Sequence, residues 1–314
     1  MIINQESDLS RYDPSRMKEI VARLKTEKEE NMLAELEEVK TLLNESDIRT
    51  LELAGEKGAG AWLTLLPLES TGYVLNKVEF RDAICLRYDK KIPGTPPYCA
   101  CGKKNSTNHT LNCMLGGYVT MRHNNIRDLE ASFLKGICKD VRIEPELIPL
   151  GLTETRSTNT SLKARLDVSA VGIWSSMERT FLDVRVMHPN SASYKDTKIE
   201  DLYVQHENEK KRTYNHRIMH VEKGSFSPLI FSTTGGMGPE ATRYHKRIAE
   251  LISVKRGELY SEVVNFIRTK VRVALLKSTL VAIRGERGRR RRTQNTPIED
   301  LSLNLIPERS TYEV

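Results

Sequence analysis

The segment 164-ARLDVSAVGIWSSMERTFLDVRVMHP-189 decides how the chain reads. Two runs, 164–174 and 180–189, alternate apolar with polar residues and predict two β-strands. The link between them is short enough for an antiparallel hairpin. Period-two geometry points Leu166, Val168 and Ala170 one way and Asp167, Ser169 and Val171 the other. In the second run Leu182, Val184 and Val186 share one face, and Phe181, Asp183 and Arg185 the opposite one. Each strand thus carries one aspartate. Two carboxylates on neighbouring strands suit Mg²⁺, a hard cation that takes oxygen ligands. Arg185, on the face of Asp183, supplies positive charge for a phosphate.

The flanking sequence is mostly helical. Residues 199–222 predict a long helix on which His206, Lys210 and Tyr214 form a stripe at four-residue spacing, with Lys210 leaning over the carboxylates. A third strand, centred on Leu229–Phe231, lies in 223-KGSFSPLIFSTTGGMGP-239, and helices follow at about 240–256 and 260–284. Upstream, helices are predicted at about 122–139 and 79–88. From Ser15 to about Ala54, apolar residues recur at three- and four-residue steps, predicting an amphipathic helical hairpin or one long helix. Gly55 to Gly60 is a glycine-rich break without the pattern of a phosphate loop. Residues 1–15, the polar run 151–163 and the tail 285–314 read as irregular. The fold class is therefore α/β (α+β): a mixed sheet flanked by helices. The expected divisions are a helical segment 1–60, a linker helix and metal-binding stretch 61–117, a main domain 118–285 and a basic tail 286–314.

The stretch 98-YCACGKKNSTNHTLNC-113 gathers Cys99, Cys101, His109 and Cys113 at the spacing C-x-C-x7-H-x3-C. Three thiolates and an imidazole form the closed tetrahedral shell of structural zinc. With four protein ligands, no position is left for a water, so the predicted role is structural. The binding energy would order a short segment that cannot bury a core of its own. The alternative, three unrelated buried cysteines and a surface histidine, fits poorly with the polar residues between them.

At 314 residues, with 39% hydrophobic and 29% charged residues, the chain affords one large core or two ordinary ones. No apolar run reaches membrane-spanning length, and the first residues lack the apolar stretch of a signal peptide. Five cysteines, three of them in one metal-type cluster, suggest a reducing compartment. The net charge is +7, and from Lys270 to Arg292 nine basic residues face a single acid, Glu286. Such a bias suits a polyanion, DNA or RNA. Arg289, Arg290, Arg291 and Arg292 also read as a nuclear import signal, or else as a solvated tail.

The order of these pieces, a cysteine–histidine knuckle, then 122-RHNNIRD-128, then two strand aspartates, then K-x-x-x-Y on a helix, resembles a known arrangement. It is similar to the C-terminal region of site-specific non-LTR retrotransposon proteins. In that region a zinc knuckle precedes a restriction-like endonuclease of the PD-(D/E)xK superfamily. The segments 60-GAWLTLLPL-68, 79-EFRDAICLRY-88 and 223-KGSFSPLIFSTTGGMGP-239 add to the likeness, which covers roughly residues 55–285. The resemblance implies that Asp167 and Asp183 bind the catalytic metal, with Lys210 as the helix-borne lysine. It implies that Cys99, Cys101, His109 and Cys113 hold zinc, and that Arg122 and His123 contact DNA. Leu166 precedes Asp167 where many members have proline, and Arg185 stands where the superfamily often keeps lysine. No reverse-transcriptase signature precedes the region, so the resemblance implies a fragment of a longer element or a decayed copy.

Three functions compete. The first is a Mg²⁺-dependent endonuclease that nicks target DNA, working with an upstream reverse transcriptase region. The second is a nucleic-acid-binding remnant without catalysis. The third is an interaction protein acting through its N-terminal helices.

Overall fold

The computed structural model describes residues 14–150, 161 and 163–285. The polar run expected at 151–163 and the tail with Arg289, Arg290, Arg291 and Arg292 lie largely or wholly outside the described residues. The described chain is mixed α/β, with eight α-helices and one four-stranded sheet. Among the described residues, no helix is long and apolar enough to cross a membrane.

Two compact units divide between Leu51 and Glu52. The first holds helix α1 (Pro14–Thr41) and the start of α2 (Glu45–Gly55). The break between them falls at Leu42–Asn44, where the Asn44 side chain accepts the Asp47 amide at 2.9 Å and starts α2. The apolar stripe read from sequence is present on α1, but Val21, Leu24, Met32 and Leu33 are all exposed.

In the second unit the elements run α3 (Lys77–Arg87), α4 (Thr107–Asn112), α5 (Tyr118–Lys135) and β1 (Lys139–Ile143). Then come β2 (Val168–Val171), β3 (Arg179–Met187), α6 (Ile199–Arg217), β4 (Ser225–Ser232), α7 (Pro239–Arg256) and α8 (Tyr260–Arg284). The sheet order is β1-β2-β3-β4. The first two pairings are antiparallel, and β4 runs parallel to β3 after the α6 crossover. The last turn of the crossover, Ile218–Glu222, widens to a π-helix. Gly224 follows because a β-carbon there would strike the Arg179 carbonyl, where β3 and β4 begin to pair.

Alternation along β3 sorts its side chains as the sequence predicts. Leu182 and Val184 enter the main core with α5, α7 and α8, through Ile126, Leu134, Tyr244, Ile248, Ile267 and Leu275. Asp183 and Arg185 face α6, whose Leu202 and Tyr203 pack with Ile230 of β4 in a second cluster. The first strand differs from expectation. β2 begins only at Val168, and Asp167 sits in a bend before it. Leu166 therefore packs with Phe181 and Phe226, not with Val168 and Ala170.

The helix expected to reach residue 139 ends at Lys135, capped at Gly136, and residues 139–143 form the edge strand β1. That strand is mostly exposed, bulged between Lys139 and Arg142, and has Asp140 at positive φ. With no buried face, it has no hydrophobic alternation to betray it.

Candidate functional site

Asp167 and Asp183 meet at the β2–β3 junction. The register pairs Val168 with Leu182, so the residue before one lies beside the residue after the other. Asp167 Oδ2 accepts the Val184 amide at 2.6 Å, and its backbone amide donates to the Leu182 carbonyl at 3.1 Å. The carboxyl groups act on each other through charge and hydrogen bonding, with opposite results. Burial pushes Asp183 up to about 6, and the neighbouring Asp167 adds to this, while Lys210 opposes it. Burial also disfavours ionised Asp167. There, however, the hydrogen bond and charge of His123 and the Val184 amide prevail, and hold it below the usual carboxylate range.

Each carboxylate has a nitrogen partner from a different helix. Lys210 of α6 brings Nζ to 2.8 Å from Asp183 Oδ2. The approach is angled so that Oδ2 makes no well-formed hydrogen bond. His123 of α5 places Nε2 2.9 Å from Asp167 Oδ1. The stripe on α6 continues with Tyr214, whose ring centre is 5.8 Å from Lys210 Nζ. His206 lies one turn earlier, its Nδ1 2.7 Å from Arg185 Nη1. Arg185 is further tied by two hydrogen bonds to Glu209, at 2.6 and 3.2 Å. Its charge is therefore matched by a carboxylate on α6, not held free for a phosphate.

Arg122 and His123, both expected to contact DNA, take partners within the protein. Arg122 is 2% exposed, with Nη2 donating to the Leu111 carbonyl at 3.2 Å, so it is closed off from a duplex. Its Nε and Nη1 are buried without partners, and burial lowers its pKa to about 10. His123 points at Asp167. The consecutive pair on α5 thus grips the cysteine segment with one side chain and the acidic pair with the other. No sequence signal marks this, because His123 and Asp167 are far apart in the chain.

The four ligand atoms of Cys99, Cys101, His109 and Cys113 all lie within 4.8 Å of one another. Cys99 and Cys113 Sγ are 3.8 Å apart, and Cys101 Sγ is 3.3 Å from His109 Nε2. Tetrahedral zinc with Zn–S near 2.3 Å and Zn–N near 2.0–2.1 Å needs separations of about 3.5–3.8 Å. All five cysteines are free thiols. The tight one-residue gap is accommodated by a turn: the Gly102 amide donates to the Cys99 carbonyl at 2.8 Å, with Gly102 at φ 86°. The Ser106 hydroxyl accepts the His109 amide and starts α4, and Cys113 caps its other end. A hydrogen bond with the Lys103 backbone holds the Cys101 thiol below its ordinary range, while burial raises that of Cys113. This Cys₃His group could hold a metal, and its chemistry fits zinc.

A second tie joins this centre to the sheet. His188, just past β3, lies 2.8 Å from the Asn108 side chain through Nε2 and 2.8 Å from the Thr233 hydroxyl through Nδ1. Asn108 directly precedes the ligand His109. The chain matches no protein-family model and no curated protein.

Proposed function

We propose that the chain is a metal-dependent DNA endonuclease of the restriction-like type, stapled by structural zinc and derived from a retrotransposon. The observation that carries the reading is the junction of Asp167 and Asp183 with Lys210 Nζ 2.8 Å from the second carboxylate. A mixed sheet flanked by helices, with Asp183 on β3 and Asp167 in the bend that leads into the adjoining β2, supports it. Two adjoining carboxylates, one of them pushed toward its neutral form by burial, suit a hard divalent cation. Bound Mg²⁺ would polarise the scissile phosphate and lower the pKa of a ligating water. Asp167 and Asp183 would hold the ion. Lys210 would offset negative charge growing on the phosphate, and His123 would orient Asp167. An enzyme of this kind acts in the nucleus, where the run 289–292 would serve as import signal.

Supercoiled plasmid with Mg²⁺ tests the proposal. Wild type should yield nicked circles, and Asp183→Ala should leave the plasmid supercoiled. Equal outcomes for both proteins remove the catalytic assignment. The second reading, a nucleic-acid-binding remnant, is favoured by one feature: Glu209 neutralises Arg185 beside the pair. It predicts salt-sensitive DNA binding by a wild type that never nicks.

A further inference from the structure

Away from the acidic pair, Arg87 and Arg272 reach the loop 55-GEKGAG-60, and Arg268 acts on Arg272 through its charge. Arg268 and Arg272 are one turn apart on α8, and Arg87 is the last residue of α3. The Arg272 guanidinium lies over Gly58, where any β-carbon would collide with it. Its Nη2 donates to the Lys57 carbonyl at 2.7 Å. Arg87 sits against Gly60, with Nη1 3.3 Å from where a β-carbon would be. The loop in turn rests on the turn after β4, with Ala59 Cα 3.6 Å from the β-carbon position of Gly235. Four segments distant in sequence meet here.

The charges gathered are almost all of one sign. Among the described residues, none of Arg87, Arg268 and Arg272 forms an ion pair, and the Nε of each is buried without a hydrogen bond. Lys57 adds an exposed ammonium. The nearby acid, Glu56, turns its carboxylate to the Tyr203 hydroxyl at 2.6 Å and the Thr234 hydroxyl at 3.1 Å. Burial raises its pKa, which weakens it further as a counter-charge. Guanidinium groups held together without a carboxylate repel one another until an anion arrives, and their planar forks match phosphate oxygens. Glycines at 58 and 60 leave room for the guanidinium groups of Arg272 and Arg87 against the loop backbone. Cations spread over a loop and two helices suit a chain of phosphates better than one.

We propose that Lys57, Arg87, Arg268 and Arg272 form a cradle for the phosphodiester backbone of duplex DNA. The partner class rests on the endonuclease reading; the cradle uses none of that site's residues. The test is fluorescence anisotropy of a labelled duplex with the full chain, without divalent metal, from 50 to 200 mM salt. Replacing Arg87, Arg268 and Arg272 together by Gln should weaken binding at least tenfold. It should also flatten the salt slope by about two to three units, at roughly 0.9 per phosphate contact. The corresponding triple Lys variant should keep most of the slope. Arg268→Gln alone, whose side chain makes no hydrogen bond or ion pair among the described residues, should lose about one unit even if the triple variant fails to fold. Unchanged affinity and slope overturn the cradle, as does a wild type that binds no duplex. Tighter binding of single-stranded DNA or RNA overturns the duplex assignment. Nicking by wild type against Asp183→Asn is scored separately, so the catalytic reading can fail while the cradle stands.

Discussion

Burial, the charge of Lys210 at 2.8 Å and the neighbouring Asp167 together set the state of Asp183. Removing the ammonium by Lys210→Met should therefore cut nicking about 100-fold, the scale of one lost transition-state partner. Equal initial rates for the two proteins would deny Lys210 this role. A different buried pair makes a purely structural prediction. Glu130 and His245 are both fully buried in the main core, 2.9 Å apart. Glu130→Ala leaves His245 without its partner and opens a void, and should cost about 3–5 kcal/mol in urea unfolding. At this scale, Asp167, Asp183 and Lys210 were legible because alternation and helical spacing are local rules. The partners of Arg122, His123 and Arg185 were not. They are chosen by which segments happen to pack there, and Arg122, expected on a surface, is enclosed instead.

Among the elements, α7 begins at Pro239 with no cap from its own N-terminal side chains. Glu207 of α6 fills the role, accepting the Glu240 amide at 2.9 Å. Glu207→Ala should destabilise the fold by about 1 kcal/mol, read as a shift in the denaturation midpoint. The end of β3 carries a pH dependence. Burial, with the Arg122 charge beside it, lowers His188 from 6.5 to about 3. Above pH 6.5 the group is neutral folded and unfolded, and its contribution is fully present. As pH falls below 6.5 the unfolded chain takes up a proton that the folded one refuses, and stability is lost. The expected loss is about 2 kcal/mol between pH 6.5 and 5, and His188→Gln should flatten that part of the unfolding profile. Helices α6, α7 and α8 were readable to within a few residues, because each buries a periodic stripe. The edge strand β1 was not, since a mostly exposed strand imposes no pattern.

For the whole molecule, the Cys₃His group is fastened at two points to the parts that carry the acidic pair. Arg122 holds the Leu111 carbonyl, and His188 meets Asn108. Stripping the metal with a chelator should thus do more than loosen residues 99–113. It should lower the melting temperature of the second unit and raise hydrogen exchange along β3, with one zinc per chain lost by elemental analysis. Exchange changes confined to 99–113 would show the staple to be independent of the sheet.

The sequence alone determined the helices from α6 onward, the hairpin, the grouping of Cys99, Cys101, His109 and Cys113, and which face of β3 its aspartate takes. These follow from repeat periods and short spacings, which act through neighbours a few residues apart. Only the tertiary structure decided the parallel pairing of β4, the handover of Asp167 to His123, the enclosure of Arg122 and the meeting of Arg87 and Arg272 at one glycine loop. Those depend on contacts between distant segments, where packing and desolvation choose the partner and no local pattern records the choice.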